Sequence, residues 1–161
     1  MTPSTFISCL KKYFESNFTH ALRNNCSERN CRLVLDNCRE RIIIKGEEIR
    51  KNNNESICDN IIFISKNKII IINVELKSKT IDYGKIINKF RQTPIYTKNF
   101  LNCCKKDFLK YTYIPIILAK SWNVITKRKF KNQKVRFENK NYDLILSDCG
   151  IRISIILSKY T

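Results

Sequence analysis

The run CDNIIFISKNKIIIINVELKSK, from Cys58 to Lys79, limits what this chain can fold into more than any other segment. Its short apolar stretches rich in isoleucine, split by the polar Ser65, Lys66, Asn67 and Lys68, predict two strands, Ile57 to Ile64 and Ile69 to Lys77, joined as a hairpin. Three charged residues sit inside this apolar context: Asp59, Glu75 and Lys77. An ion in a core strand costs several kcal/mol or more unless it is paired or bound, so the three either face solvent or serve a site.

Alternation along a strand puts Ile70, Ile72, Val74 and Leu76 on one face and Ile71, Asn73, Glu75 and Lys77 on the other. Asp59 joins Glu75 and Lys77 only if it lies opposite Glu75. That register pairs Ser65 with Ile69 and leaves the three-residue loop Lys66 to Lys68, in which Asn67 suits a left-handed conformation. A loop one residue longer or shorter turns Asp59 to the wrong face. In the right register, two carboxylates and an ammonium converge. Paired carboxylates are hard oxygen ligands for Mg²⁺, and a cation beside them suits phosphodiester hydrolysis.

The charge agrees with that chemistry. The chain has 161 residues, 31 Lys+Arg against 14 Asp+Glu and a net charge of +17, pointing to a polyanionic partner, nucleic acid before an anionic membrane. An Ile, Lys and Asn bias of the genome would also produce part of that excess. The length fits one domain, 1–161, and no segment nears the roughly 18 apolar residues that cross a bilayer. The start lacks the order of a signal peptide, which leads to the expectation of a cytoplasmic protein without a membrane partner. Its eight cysteines are then expected as reduced, buried or idle thiols, with Cys26, Cys31 and Cys38 the only loose cluster for a metal or iron–sulfur site.

Elsewhere, Phe6, Leu10, Phe14, Phe18 and Ala21 recur at helical spacing, predicting a helix over about 5–22 with Ser4 as N-cap. Arg32 to Leu35 and Arg41 to Lys45 read as strands around a turn at Asp36 and Asn37, and Gly46 to Ser56 as a loop. A helix from Asp82 carries Tyr83, Ile86, Ile87 and Phe90. Thr93 and Pro94 open a second helix through Phe100, Leu101, Cys104 and Phe108. Tyr113 to Ala119 reads as a strand, Lys127 to Lys134 as a basic loop, and Val135 to Phe137, Tyr142 to Leu146 and Ile151 to Leu157 as strands. The fold class is α/β: a central mixed sheet flanked by helices, with a strand-rich C-terminal extension.

Asp59 followed by a hairpin into Glu75-Leu76-Lys77 resembles the PD-(D/E)xK nuclease superfamily, which has the restriction-endonuclease-like fold. The resemblance implies that Asp59 and Glu75 bind Mg²⁺ or Mn²⁺ and that Lys77 acts with the attacking water. Cys58 stands where the family name has proline. Members with another acid on the first helix make Glu15 a candidate, and Glu47, Glu48 and Glu55 are others. Gln92 and Tyr96 have the Gln-x-x-x-Tyr spacing of the exonuclease branch, although Pro94 between them predicts a new helix. VELKSK also resembles the catalytic strand of archaeal Holliday-junction resolvases.

Lys85, Lys89 and Gln92 share a helix face that would meet a phosphate backbone or simply water, and Lys127, Arg128, Lys129 and Lys131 form the densest basic segment. Trp122 reads as a core or loop anchor rather than a stacking platform. The expectation is a metal-dependent nuclease, an endonuclease on DNA, with self-association into a homodimer left open. Its rivals are a non-catalytic basic nucleic-acid-binding protein on the same scaffold and an interaction protein whose charge reflects composition.

Overall fold

Isoleucine alternation on both sides of the hairpin predicts a sheet needing cover on two faces, and the computed structural model has that arrangement over residues 1–104 and 109–160. Helix α1 (Pro3–Asn17) leads into the short strand β1 (Leu22–Arg23). A small antiparallel hairpin follows, β2 (Cys26–Glu28) and β3 (Cys31–Leu33), then β4 (Arg41–Lys45). The isoleucine hairpin is β5 (Asn60–Ser65) and β6 (Ile69–Lys77), succeeded by α2 (Tyr83–Cys104) and β7 (Tyr111–Ala119). The C-terminal part holds α3 (Val124–Lys131), β8 (Lys134–Phe137), β9 (Lys140–Asp143), β10 (Ile145–Asp148) and α4 (Ile153–Leu157).

Six strands form one mixed sheet in the order β1-β4-β5-β6-β7-β10. Neighbours from β1 to β6 are antiparallel, whereas β6, β7 and β10 run parallel. One face, with Ile61, Phe63, Ile71 and Ile117, packs under Phe6, Leu10 and Phe14 of α1, Ile86 and Phe90 of α2, and Phe130 of α3. The other, with Ile62, Ile72, Val74 and Leu118, lies under the β2–β3 hairpin and under Ile153 and Ile156 of α4. Strand β6 is therefore buried on both faces, the usual condition of strands with parallel neighbours.

Several elements differ from expectation. Thr2, not Ser4, caps α1, in a reciprocal pair of bonds with Thr5, and the helix stops at Asn17 instead of reaching Leu22. β3 and β4 lie in different sheets, so the segment at Asp36 and Asn37 does not join a hairpin. Within the expected loop, Gly46–Ile49 forms a 3-10 turn. Pro94 lies inside a single α2: a buried proline costs about 3 kcal/mol in a helix, which packing of Phe90, Thr93, Thr97, Phe100 and Leu101 against the sheet outweighs. The Phe108 end expected for that helix falls outside the described residues. The basic segment expected as a loop is α3, capped by Asn123, whose side chain accepts from the N–H groups of Ile125 and Thr126. Of Ile151 to Leu157, expected as a strand, Ile153–Leu157 forms α4, beyond the turn at Gly150, whose φ of +88° suits glycine.

The cysteines also depart from the expectation of reduced thiols. Cys9 bonds to Cys104 and Cys31 to Cys149, joining residues 95 and 118 positions apart, separations at which sequence spacing carries no pairing signal. Cys26, Cys38 and Cys58 are buried free thiols, and Cys103 is exposed. No helix among the described residues is long and apolar enough to cross a membrane.

Candidate functional site

The hairpin takes the register that Asp59 requires. Ser65 pairs with Ile69 and Asn60 with Val74, which sets Asp59 opposite Glu75. The Lys66–Lys68 loop is closed by the Lys66 N–H donating to the Lys68 carbonyl at 3.0 Å, and it needs no left-handed residue, so Asn67 is not there for that reason. Gly46 fixes the start of β5 from the other side. Its N–H donates to the Asp59 carbonyl at 2.9 Å, and a Cβ at that position would lie 1.9 Å from the Cys58 carbonyl oxygen. Only glycine lets the end of β4 pass so close to Asp59.

The Asp59 carboxylate uses Oδ2 to accept the Leu76 N–H at 2.7 Å, which ties it to the segment between Glu75 and Lys77. Glu75 has no exposed surface. Its Oε1 meets the Lys77 ammonium at 3.1 Å and the Lys89 ammonium at 2.8 Å, while its Oε2 is buried with no hydrogen-bond partner. Burial pushes the Glu75 carboxyl up to about 7; the Asp59 charge adds to the rise, and the two lysines oppose it. Lys89 is raised as well. Burial lowers its ammonium, but contact with Glu75 outweighs burial and the net shift is upward.

Of these groups, Asp59 and Lys77 line a polar groove of about 260 Å³ with Glu28, Lys45, Glu47 and Lys79, whereas Glu75 and Lys89 do not line it. Lys45 is ion-paired to Glu28 across it. The β2–β3 hairpin and the end of β4 thus wall a groove whose floor is the end of β6.

The expected site residues separate into groups. Asp59, Glu75 and Lys77 come together. Lys89 turns inward to Glu75 instead of presenting its charge to solvent, and the Gln92 side chain accepts the Ser56 N–H at 2.8 Å. Lys85, at the start of α2, is exposed. With α2 unbroken, Gln92 and Tyr96 lie one turn apart and line a second groove with Lys51, Glu55, Ile95 and Asn99. Glu15 is exposed on α1, and Glu48 faces His20 and Arg23. Glu47 is the candidate extra acid that reaches the Asp59 groove. Lys127, Arg128, Lys129 and Lys131 are exposed along α3.

Sequence reasoning missed the role of Lys89. The readable signal was the series Lys89, Thr93, Thr97, polar at every fourth position of α2, matched to Asn73 and Glu75 at alternate positions of β6. Thr93 accepts the Cys58 N–H at 2.8 Å, and Thr97 accepts from the Asn73 amide at 2.8 Å. Glu28 and Lys45 had no such signal, because their contact depends on the fold of β2 over the sheet.

The arrangement can neutralise, orient and hold an anion or a hydrated cation at the buried end of β6. Among the described residues, no group of three or more His, Cys, Asp or Glu side chains is disposed to hold a metal ion. No family model, no curated protein and no solved structure matches the chain.

Proposed function

We propose that the chain is a divalent-metal-dependent nuclease, acting on DNA as an endonuclease, with a restriction-endonuclease-like core. The observation that carries this reading is the orphaned Oε2 of Glu75, a fully buried carboxylate oxygen at the strand position opposite Asp59. A buried acceptor left without a donor costs about 1–3 kcal/mol, which a ligand absent from the protein chain itself would offset. The order α1, antiparallel β4–β5–β6, α2 and parallel β7 supports the family resemblance.

Asp59 and Glu75 fit Mg²⁺ or Mn²⁺, since both supply hard oxygen, and two protein carboxylates suffice where waters and phosphate oxygens complete the shell. When bound, the ion supplies a polarised phosphoryl oxygen and a more acidic water. Lys77, 27% exposed, lines the groove, and its ammonium, 3.1 Å from Glu75 Oε1, would orient the attacking water or stabilise charge on the phosphoryl oxygens. Lys89 holds Glu75 Oε1 in place from the helix side.

A non-catalytic nucleic-acid-binding scaffold is favoured by one observation: two lysines already balance Glu75 without an ion. Incubation of the protein with plasmid DNA separates the readings. Cleavage with Mg²⁺, absent in EDTA and lost in Lys77→Ala while DNA binding survives, is expected; cleavage by Lys77→Ala at the full rate removes Lys77 from the chemistry. Binding that weakens steeply with salt but never cleaves leaves the scaffold reading.

A further inference from the structure

A second concave feature lies on the same face of the sheet as Glu75 and Lys77. β7 ends at Ala119, beside Lys77 in the parallel ladder, and the Lys120 N–H donates to the Lys77 carbonyl at 2.9 Å. Just beyond, Trp122 is half-buried, its indole N–H fixed to the Ser147 carbonyl at 2.9 Å and its ring edge-on to Phe130 at 6.2 Å. Trp122, Leu144 and Leu146 form the apolar wall of a cavity of about 480 Å³, and Lys127, Arg128 and Lys131 border it. No acidic side chain lines it among the described residues. The volume is in the range of about 300–1,000 Å³ that holds small organic ligands.

Aromatic packing through Phe130 and Tyr83 joins the cavity to the helix that carries Lys89. Tyr83, at the start of α2, packs on Phe130 of α3 at 4.8 Å, and the Lys129 ammonium lies 5.8 Å from the Tyr83 ring centre. The same α2 carries Lys89 against Glu75. At the cavity, the Lys127 ammonium is 5.9 Å from the Trp122 ring centre. An aromatic and aliphatic wall with a purely cationic rim is complementary to a flat, apolar-faced group attached to phosphates. A nucleotide has that chemistry, but in a duplex both faces of each base are hidden in the stack. Only an unpaired base can offer a face to Trp122 while its phosphates meet Lys127 and Arg128.

We propose that the Trp122 cavity takes an unpaired base of single-stranded nucleic acid. On the nuclease reading of the Asp59–Glu75–Lys77 cluster, which this inference deepens, the substrate then carries single-stranded nucleotides beside the phosphodiester to be cut.

Trp122 is the chain's single tryptophan, so intrinsic fluorescence reports on this cavity alone. The full chain in EDTA is titrated with oligothymidylate, with a blunt duplex of equal length and with polyphosphate. Saturable quenching by oligothymidylate, with little change from the other two, is expected. Trp122→Ala is expected to weaken binding of a labelled single strand about 5- to 150-fold by anisotropy, the range for loss of one base–aromatic stack. Lys127→Ala/Arg128→Ala, a surface change that spares the wall, is expected to raise the oligothymidylate concentration for half-quenching several-fold.

Equal quenching by duplex or polyphosphate overturns the proposal. So does a blue shift of Trp122 emission on phosphatidylserine vesicles that oligothymidylate does not reverse, because Val124 and Ile125, 66% and 67% exposed on α3, would then be serving a membrane. Quenching without Mg²⁺-dependent cleavage keeps the base cavity and removes the nuclease; cleavage without quenching does the reverse.

Discussion

Asn73 and Glu75 stand two residues apart on β6, point to the same face and are equally buried, yet their polar atoms are treated differently. The Asn73 amide donates to the Thr97 hydroxyl at 2.8 Å and its carbonyl oxygen accepts from the Tyr113 hydroxyl at 2.6 Å. Thr97 in turn donates to the Thr93 carbonyl at 3.0 Å, so the network closes within the protein. Glu75 has two cations on one oxygen and nothing on the other. A closed polar network specifies how α2 seats on the sheet. An open one, next to a second carboxylate, leaves a buried acceptor that a ligand would satisfy.

The comparison breaks most visibly in activity. If the open network is the reactive one, Glu75→Gln lowers Mg²⁺-dependent DNA cleavage by about 100-fold or more, the scale for losing a group that acts on the reacting atoms. Asn73→Ala leaves cleavage per folded molecule within a few-fold. A gel assay on both purified variants, corrected for folded fraction by circular dichroism, decides it; equal losses would mean that both residues are structural.

Stability against pH gives the next largest contrast. The Glu75 carboxyl is raised from 4.5 to about 7 by burial and by Asp59, so over that window the folded protein holds a proton that the unfolded chain has released. Stability is therefore full below about 4.5 and falls as pH rises to about 7, by roughly 3 kcal/mol at 1.36 kcal/mol per unit. Urea titrations at several pH values should show that fall in metal-free protein and a flatter profile in Glu75→Gln. Parallel profiles would mean that Glu75 does not carry the shift. At neutral pH, Asn73→Ala should lose about 2 kcal/mol, because the Tyr113 hydroxyl is left buried without its partner. Its cost should hardly vary with pH, since none of its network ionises in the working range.

The register that unites Asp59 with Glu75 was legible because two local facts determine it, the apolar alternation and the three-residue loop. The same locality explains β5, β6 and β7. Pro94 misled because a breaker propensity is worth a few kcal/mol at most and the packing of α2 exceeds it, whereas the segment from Lys127 buries only Phe130 and its helix rests on the Asn123 cap and on Lys and Arg, which are good helix formers. The two disulfides and the pairing of Lys45 with Glu28 were out of reach, since each joins segments whose meeting depends on the whole fold. Of the site, the carboxylates and Lys77 could be read along one strand. Lys89 left a fainter trace, the spacing of Lys89, Thr93 and Thr97 on α2 against Asn73 and Glu75 on β6, and its inward turn is fixed only once α2 is laid against that strand.

That inward turn supplies the smallest and most discriminating contrast, between the two lysines on Glu75. Lys89 approaches from the helix, is 23% exposed and lies 2.8 Å from Oε1; Lys77 approaches along the strand and also lines the groove. Both hold the Glu75 titration below where burial and Asp59 alone would put it. Removing either cation should therefore move the Glu75 midpoint above about 7, by about one unit for a charge-assisted bond of roughly 1.5 kcal/mol. Lys89→Gln should shift the midpoint, read by carboxyl carbon NMR, and shift the acid limb of the cleavage profile upward by the same amount while leaving the plateau rate nearly intact. Lys77→Gln should shift the midpoint too but abolish the plateau, since its ammonium also serves the groove. If Lys89→Gln abolishes the plateau and Lys77→Gln spares it, the two lysines have exchanged roles and the reactive cation comes from α2 rather than from β6.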